Sequence, residues 1–278
     1  MTPSHDGLQL AGETLSSRLL MGSGRYPSLD VMLACYGRAC PAFVTVAMRR
    51  LGHRQKAEDS FFHVLKGRYR CLPNTAGCYT ARDAILTAEL AREALATSWI
   101  KVEVIGDRQT LLPDSEQLLE AARVLVKQGF HVMPYCSDDV ILCRKLADMG
   151  CVAVMPLAAP IGSGLGIRNP HRIELICHYC HVPVIIDAGI GTASDAVRAM
   201  ELGCDGVLVD SAIAGARVPE RMAMAMAEAV RAGRHAYMAG RIAKRYDTAI
   251  ETTSFQGMMT SQTPHTSQGE GQEKTTIP

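Results

Sequence analysis

The feature that most constrains the fold is the regular alternation of two kinds of segment. Apolar runs typical of β-strands occur at residues 18–22, 43–47, 70–73, 100–104, 131–135, 152–155, 183–187 and 206–209. Between them, apolar residues recur at the spacing of amphipathic helices, notably at residues 81–96, 114–128, 138–149, 170–179, 192–202 and 219–232. Strands that alternate with helices form a parallel sheet, because each return to the same edge needs a crossover.

Eight such repeats favour closure into a single (β/α)8 TIM barrel, and an open, doubly wound sheet is the alternative topology. The composition then changes near the end of the chain, where residues 251–278 are rich in Thr, Ser, Gln and Gly. Such a segment buries too little apolar surface to offset the entropy lost on ordering. We therefore predict a barrel over residues 1–247 and a disordered tail over residues 248–278.

The charge balance indicates small-molecule ligands. The chain carries 29 Lys and Arg against 28 Asp and Glu, a formal net charge of +1. This gives no field that would recruit nucleic acid or a membrane surface. No segment resembles a secretory signal, and no apolar run approaches the roughly 20 residues that span a bilayer. We expect a cytoplasmic protein whose ten cysteines are reduced thiols.

One cysteine cluster has a metal-like spacing. Cys177, Cys180 and His181 match the Cys-x-x-Cys-His pattern of covalent haem attachment, and they could form half of a zinc site. Haem attachment normally requires export, however, and a second cysteine pair for zinc is missing. We interpret the segment as structural, and we predict that the protein uses no metal and no cofactor.

The fourth predicted strand carries two charged residues on one face. Side chains alternate along a strand, so Lys101 and Glu103 point one way while Ile100, Val102 and Val104 point the other. On an exposed strand the pair would be a surface salt bridge. In a closed barrel the inward face meets the mouth of the active site near the carboxyl end of the strand. A desolvated lysine there can serve as an amine nucleophile.

Three loops late in the chain point to a bound phosphate. They follow the sixth, seventh and eighth strands, at residues 160–166, 187–192 and 210–213. Glycines allow backbone N–H groups to approach an anion, and the late strands of a barrel are its usual phosphate position. Each loop alone is weak evidence, since a glycine-rich turn is often only a turn. Together they predict a phosphate-bearing substrate.

A lysine that forms an imine with a ketone or aldehyde must first lose its proton. Both Glu103 and a bound phosphate favour the ammonium form of Lys101, which opposes a lowered pKa. The carboxylate is therefore expected to act by accepting the proton. Asp187, at the end of the seventh strand, supplies a second carboxylate for acid–base steps.

Several segments together resemble one enzyme family, the bacterial thiazole synthases of thiamine biosynthesis. The resemblance covers about residues 15–245 and includes the first strand with Gly24, the second strand with Arg49 and Arg50, and the sixth-strand end at residues 155–157. Its longer motifs are residues 72–78 (LPNTAGC), 99–107 (WIKVEVIGD), 134–139 (PYCSDD), 160–164 (PIGSG) and 187–191 (DAGIG).

This resemblance implies a specific reaction. Members of the family condense 1-deoxy-D-xylulose 5-phosphate, dehydroglycine and sulfur from a thiocarboxylated, ubiquitin-like sulfur carrier protein into the thiazole phosphate carboxylate. The implied Schiff-base lysine is Lys101, and the implied acid–base residues are Glu103 and Asp187. The implied phosphosugar contacts are Gly162, Ala188, Gly189, Asp210 and Ser211. The family also implies a homo-oligomer, such as a tetramer, with the carrier near the barrel mouth.

Two departures from the family pattern qualify this assignment. Asp210 and Ser211 stand where the family usually has Asn-Thr, and a carboxylate beside a phosphate would repel it unless Asp210 turns away. Residues 51–56 also differ from the usual family sequence. Two other interpretations stay open: a class I aldolase or another imine-forming phosphosugar barrel, and a degenerate barrel that binds a phosphosugar without turnover.

Overall fold

The structure, a computed structural model, describes residues 6–48, 64–65 and 67–244. A short antiparallel hairpin, β1 (Leu8–Leu10) and β2 (Glu13–Leu15), precedes eight parallel strands. These are β3 (Leu19–Met21), β4 (Phe43–Ala47), β5 (Cys71–Asn74), β6 (Trp99–Val102), β7 (His131–Cys136), β8 (Met155–Pro156), β9 (Ile185–Ile186) and β10 (Gly206–Val209). Their spatial order is β8-β7-β6-β5-β4-β3-β10-β9.

Hydrogen bonds between the segments of β8 and β9 close this sheet. The N–H of Val154 donates to the carbonyl of Pro183 at 3.0 Å, and the N–H of Asp187 donates to the carbonyl of Pro156 at 3.1 Å. Further parallel bridges join Val154 to Val184 and Leu157 to Ala188. The prediction of a (β/α)8 barrel is therefore confirmed.

Helices follow most of the parallel strands in the part of the chain that the structure describes. They are α1 (Leu29–Ala39), α2 (Ala81–Leu95), α3 (Ser115–Lys127), α4 (Val140–Asp148), α5 (Pro170–Tyr179), α6 (Ala193–Glu201), α7 (Ser211–Ala214) and α8 (Pro219–Ala239). Side chains cap the starts of several of them, as the sequence favours: the hydroxyl of Thr80, for example, accepts the N–H of Asp83 at 3.1 Å. The first five helical segments predicted above each contain one of these helices. The sixth, at residues 219–232, covers only the first part of α8, which continues to Ala239, and α1 and α7 were not among the predicted segments.

Two large apolar clusters fill the barrel and the space between the sheet and the helices, and a third, small one includes Ile105 and Tyr135. The outward-facing residues of β6, Ile100 and Val102, belong with Val104 to the large cluster between sheet and helices. Trp99 belongs to the second cluster, which contains inward residues from the strands and three leucines of the hairpin. Lys101 shares the parity of Trp99, so it faces the barrel interior.

The hairpin covers the amino ends of the strands. Its residues Leu8, Leu10 and Leu15 pack with Phe43 and Trp99, which are the first residues of β4 and β6. These contacts seal the interior of the barrel at the end opposite the carboxyl termini of the strands.

An ion-pair network fixes the start of the hairpin. The carboxylate of Asp6 pairs with Arg18 at 2.9 Å and with Arg234 on α8 at 2.6 Å. These arginines lower the pKa of Asp6 to about 2, mainly through the hydrogen bond from Arg234. The amino-terminal segment is thus tied to both the first barrel strand and the last helix.

The chain divides into two units after Arg241. In the second unit the structure describes residues 242–244, so the predicted disordered tail over residues 248–278 lies outside the described residues and stays a prediction. The unusual segment 51–56 also lies outside them. Within the described part of the chain, no helix has the combined length and apolar character needed to cross a membrane.

Candidate active site

Lys101 lies between two carboxylates inside the carboxyl end of the barrel. Its Nζ atom is 2.9 Å from Oε1 of Glu103 and 2.8 Å from Oδ2 of Asp187. All three side chains are almost fully buried, with 6, 7 and 1 % of their surface exposed. Alternation along β6 brings Lys101 and Glu103 to one face, and closure of the barrel brings Asp187 to them.

The buried charges alter one another's protonation. Burial acts to lower the pKa of Lys101, but the charges of Asp187 and Glu103 outweigh it, so the pKa of the amine is raised. Burial, assisted by the charge of Glu103, raises the pKa of Asp187 to about 6 although Lys101 opposes the shift. The lysine therefore rests as an ammonium ion, as expected from its neighbours.

The backbone of Glu103 is held by a side chain that follows β5, the neighbouring strand in the barrel. The hydroxyl of Thr75, which follows β5, donates to the carbonyl of Glu103 and accepts its N–H, each at 2.8 Å. Thr75 is fully buried. On the other side, the ring of Tyr135 on β7 lies 5.6 Å from Nζ of Lys101, within cation–π distance. Its hydroxyl donates to the carbonyl of Leu111 at 3.2 Å.

A cavity of about 550 Å³ opens above these groups. All eight site residues named from the sequence line it: Lys101, Glu103, Asp187, Gly162, Ala188, Gly189, Asp210 and Ser211. The barrel thus brings together residues from four predicted strand ends. The geometry places these residues side by side, and their individual roles stay predictions.

Two glycines of this cavity, Gly189 and Gly191, lie where a side chain would not fit. Gly189 has φ +94°, and a Cβ there would lie 2.4 Å from the backbone nitrogen of Ala159. At Gly191 a Cβ would lie 2.4 Å from the carbonyl oxygen of Gly164. Gly162 also has a left-handed φ of +73°, and its Cβ position lies 3.7 Å from Oγ of Ser211. The three late loops therefore converge on one part of the cavity wall, as the sequence predicts.

Asp210 is turned toward the first barrel strand. A Cβ placed on Gly22, which follows β3, would lie 2.3 Å from Cγ of Asp210, so the carboxyl group packs directly over this glycine. Oδ1 of Asp210 is buried, although the residue still lines the cavity. Burial, and to a lesser extent the charge of Asp210, raises the pKa of the nearby Tyr26. The carboxylate thus faces partly away from the space available to a ligand.

Several lining residues carry no role in the sequence analysis. Arg25 lies at the mouth, and Asn74 and Thr45 line the wall. Asn74 pairs in register with Lys101, so its position in the 72–78 motif could have indicated its proximity. Arg25 follows Gly24 on an irregular segment, and no periodicity marks it.

The cysteine cluster lies at the end of α5, and none of its members lines the cavity. Sγ of Cys177 is 3.7 Å from Sγ of Cys204, and Nδ1 of His181 is 3.7 Å from a carboxylate oxygen of Asp148. In the described ranges, no three His, Cys, Asp or Glu side chains are arranged to hold a metal ion. The expectation that the protein uses neither metal nor cofactor stays a prediction.

The fold and the site define a class of protein: a (β/α)8 barrel enzyme with a buried lysine–carboxylate centre at the carboxyl ends of its strands. Solved barrels support the fold. The Amycolatopsis orientalis BexX/CysO complex matches with a TM-score of 0.79 and 28% identity over 86% of this chain and 98% of the other. A structure described as native KDPGal matches with a TM-score of 0.54 and 16% identity over 81% of this chain and 99% of the other, which supports the fold alone.

Comparison of the sequence identifies the family. The family model for thiazole biosynthesis protein ThiG matches residues 9–254. A thiazole synthase of Sorangium cellulosum is 57% identical over 88% of this chain and 95% of its own. A thiazole synthase of Myxococcus xanthus is 58% identical over 85% of this chain and 91% of its own. The chain therefore belongs to the ThiG family of thiazole synthases, enzymes that form the thiazole of thiamine, which confirms the resemblance seen in the sequence.

Proposed function

We propose that this thiazole synthase works through an imine between Lys101 and the ketone of 1-deoxy-D-xylulose 5-phosphate. The observation that carries the proposal is the placement of Nζ within 2.9 Å of two buried carboxylate oxygens at the base of the cavity. An amine so placed has proton acceptors at hydrogen-bond distance, which it needs because its resting form is the ammonium ion.

In this proposal the two carboxylates accept and donate the protons that imine formation requires. One carboxylate takes the proton of the Lys101 ammonium, and the free amine then adds to the carbonyl carbon. Loss of water from the resulting carbinolamine requires a proton on the departing oxygen, which a protonated carboxyl can supply. Asp187, whose pKa is raised to about 6, suits this exchange near neutral pH. Glu103 and Asp187 then move protons along the sugar, so that the carbonyl shifts position.

The phosphate is proposed to lie against the three late loops. Gly162, Ala188 and Gly189 present backbone to the cavity with little side-chain bulk, and Ser211 contributes a hydroxyl. Asp210 would repel a phosphate, but its carboxyl packs over Gly22, on the side of the first barrel strand. This wall adjoins Asp187, so a five-carbon phosphosugar can contact it while its ketone reaches Lys101.

The later steps need two further reactants. The thiocarboxylate of a sulfur carrier protein adds through its sulfur to the shifted carbonyl, and the bond between that sulfur and the carrier's acyl carbon then breaks, so that the carrier leaves as a carboxylate. The nitrogen of dehydroglycine displaces the Lys101 amine from the imine carbon, and the ring closes between the sulfur and the α-carbon of dehydroglycine. The similar BexX chain was solved in a complex with CysO, which supports a protein partner for a barrel of this kind. We further propose a cytoplasmic homo-oligomer, with the barrel domain over residues 1–247 and a disordered tail over residues 248–278.

Borohydride trapping tests the imine directly. The protein is incubated with the deoxypentulose phosphate and borohydride, and the adduct is located by tandem mass spectrometry. We expect a reduced adduct on Lys101 that is absent from Lys101→Arg. Lys127→Ala, an exposed lysine on α3, is the matched control and should retain the adduct. Absence of an adduct from the unaltered protein would contradict the proposal.

Turnover separates this reaction from the two alternatives. A thiazole synthase forms product only when the carrier and dehydroglycine are both present. A class I aldolase would process the phosphosugar without the carrier. A degenerate barrel would bind the phosphosugar in a calorimeter and form neither an adduct nor a product.

A further inference from the structure

The cavity has an unfavourable charge for a phosphorylated sugar. Its charged lining residues, in the part of the chain that the structure describes, are Glu103, Asp187, Asp210, Lys101 and Arg25. With all of them ionised, the lining carries a formal charge of −1. Lys101 is paired with two carboxylates of its own, so it has little remaining charge to offer a second anion. Among these described lining residues, Arg25 is the remaining cation.

Arg25 lies on the same side of the mouth as the predicted phosphate wall. It follows β3, and β3 pairs with β10 in register, Met21 opposite Val209. The pairing continues past the strand, since the N–H of Gly22 donates to the carbonyl of Val209 at 3.0 Å. The segment that carries Arg25 is therefore the direct neighbour of the loop that carries Ser211.

The backbone at Arg25 is held in a conformation that arginine seldom adopts. Its φ is +63°, in the left-handed region. The next residue, Tyr26, is half-buried, and its ring packs edge-on against Tyr36 at a centroid distance of 6.0 Å. Arg25 itself stays exposed at the cavity mouth. Strained residues of this kind concentrate at ligand sites, where the surrounding structure maintains them.

The guanidinium of Arg25 is also available. Its side chain has no hydrogen bond or ion pair with another described residue, in contrast to Arg18 and Arg234, which are both held by Asp6. A guanidinium presents a planar fork of donors that matches the oxygens of a phosphate.

We propose that Arg25 is a specificity-determining residue that binds the phosphate group of the sugar and offsets the charge of Asp210. This inference rests on the proposed function, because it assigns one more contact in the same cavity. Loops that offer only N–H groups and a hydroxyl can accommodate many anions or neutral groups. A guanidinium adds a preference for the phosphorylated sugar over its unphosphorylated form.

Calorimetry with two ligands tests this assignment. The probes are 1-deoxy-D-xylulose 5-phosphate and 1-deoxy-D-xylulose. Arg25→Asn removes the charge and keeps a residue type that tolerates the left-handed conformation. We expect its Kd for the phosphorylated sugar to rise about 10- to 100-fold, the range for loss of a charged hydrogen bond. Its Kd for the unphosphorylated sugar should stay unchanged, and Arg25→Lys should recover part of the difference.

Arg108→Ala is the matched control. Arg108 is another exposed cation near the mouth, but it lies over the ring of Tyr79 and does not line the cavity. The Arg108→Ala variant should bind the phosphorylated sugar with the same Kd as the unaltered protein. An equal loss in Arg108→Ala would mean that general charge at the mouth, rather than a contact from Arg25, attracts the phosphate, and this would overturn the inference.

The remaining outcomes are also decisive when borohydride trapping is run on the same samples. An unchanged Kd in Arg25→Asn, with a normal Lys101 adduct, would overturn the role of Arg25 and leave the imine standing. Equal weakening for both sugars would show a structural role and would also overturn it. If Arg25→Asn binds the phosphorylated sugar more weakly but the unaltered protein forms no borohydride adduct, the role of Arg25 would be supported and the imine at Lys101 would be contradicted.

Discussion

Nζ of Lys101 lies 2.8 Å from Oδ2 of Asp187, although their strand segments, β6 and β9, are separated by two other strands of the barrel. This contact crosses the interior and completes a buried group of one ammonium and two carboxylates with Glu103. Because the ammonium is stabilised by both acids, the resting lysine is not a nucleophile. In the proposed reaction, substrate binding must therefore be accompanied by transfer of the Lys101 proton.

The raised pKa of Asp187 predicts an acid limb in the activity profile. Its value of about 6 arises mainly from burial, and Asp187 becomes protonated as the pH falls through it. We expect the rate of imine formation to fall below about pH 6 in the unaltered protein. Asp187→Asn should be slow at all pH values and lack this limb. Rapid-quench borohydride trapping between pH 5 and 8 measures both, and an unchanged limb in the variant would assign it to another group.

The same shift predicts a pH dependence of stability. The pKa of Asp187 in the folded state exceeds its ordinary value of 3.8, so the folded protein holds this proton more tightly than the unfolded chain does. This contribution to the free energy of unfolding is fully present below pH 3.8 and is lost as the pH rises to about 6. Urea denaturation should show that Asp187→Asn lacks this loss. Asp83→Asn, an exposed carboxylate on α2, should retain it.

Thr75 is expected to support catalysis by holding Glu103. Thr75→Val keeps the shape of the side chain but removes both hydrogen bonds to the Glu103 backbone, which should cost about 1–3 kcal/mol in the free energy of unfolding. We expect kcat to fall while the Kd for the phosphosugar stays unchanged, because Thr75 does not line the cavity. Thr75→Ser retains the hydroxyl and should restore kcat. Equal defects in both variants would rule out this positioning role.

Substitutions at two glycines with left-handed backbone distinguish the cost of backbone strain from the cost of a steric clash. Gly12 in the hairpin has φ +80° with open space around it, whereas Gly189 has φ +94° and contacts the backbone of Ala159. Gly12→Ala should cost about 1–2 kcal/mol and leave binding intact. Gly189→Ala should cost more and weaken phosphosugar binding, because the wall must move. Urea denaturation and calorimetry would contradict this if the two variants behaved alike.

The carboxylate of Asp210 is predicted to weaken the binding of the phosphosugar to the cavity. Asp210→Asn keeps the size of the side chain and removes one negative charge from the cavity lining. We expect tighter binding of the phosphosugar by about 1 kcal/mol, or roughly five-fold, as measured by calorimetry. Asp30→Asn, an exposed change on α1, should have no effect. Weaker binding in Asp210→Asn would instead show that the carboxylate has a favourable role in the site.

Much of this site could be predicted because strand periodicity carries two kinds of information. Alternation on β6 placed Lys101 and Glu103 on one face, and the strand order placed the late loops at the same end of the barrel. The contact between Lys101 and Asp187 could not be derived this way, because it depends on how the sheet closes. The position of Arg25 at the cavity could not be predicted, because it depends on the left-handed backbone of Arg25 itself, which no sequence pattern records.

The limits of the strands were harder to predict for a related reason. The predicted strands at residues 152–155 and 183–187 shrink to two residues each. Between these two segments the structure has isolated bridges, Val154 to Val184 and Leu157 to Ala188, in place of a continuous ladder, so the strand limits do not follow from the apolar runs alone. The strands β1 and β2 have three residues each, too few for alternation to identify them.

The hairpin that seals the amino end of the barrel has a kinetic consequence. Within the described residues, it leaves the mouth as the route by which sugar, dehydroglycine and a carrier's tail could all reach Lys101. A carrier docked there would shut the sugar in beneath it. The proposed reaction should therefore follow a compulsory order, with the sugar and dehydroglycine entering before the carrier docks, and product release should wait for the carrier to depart.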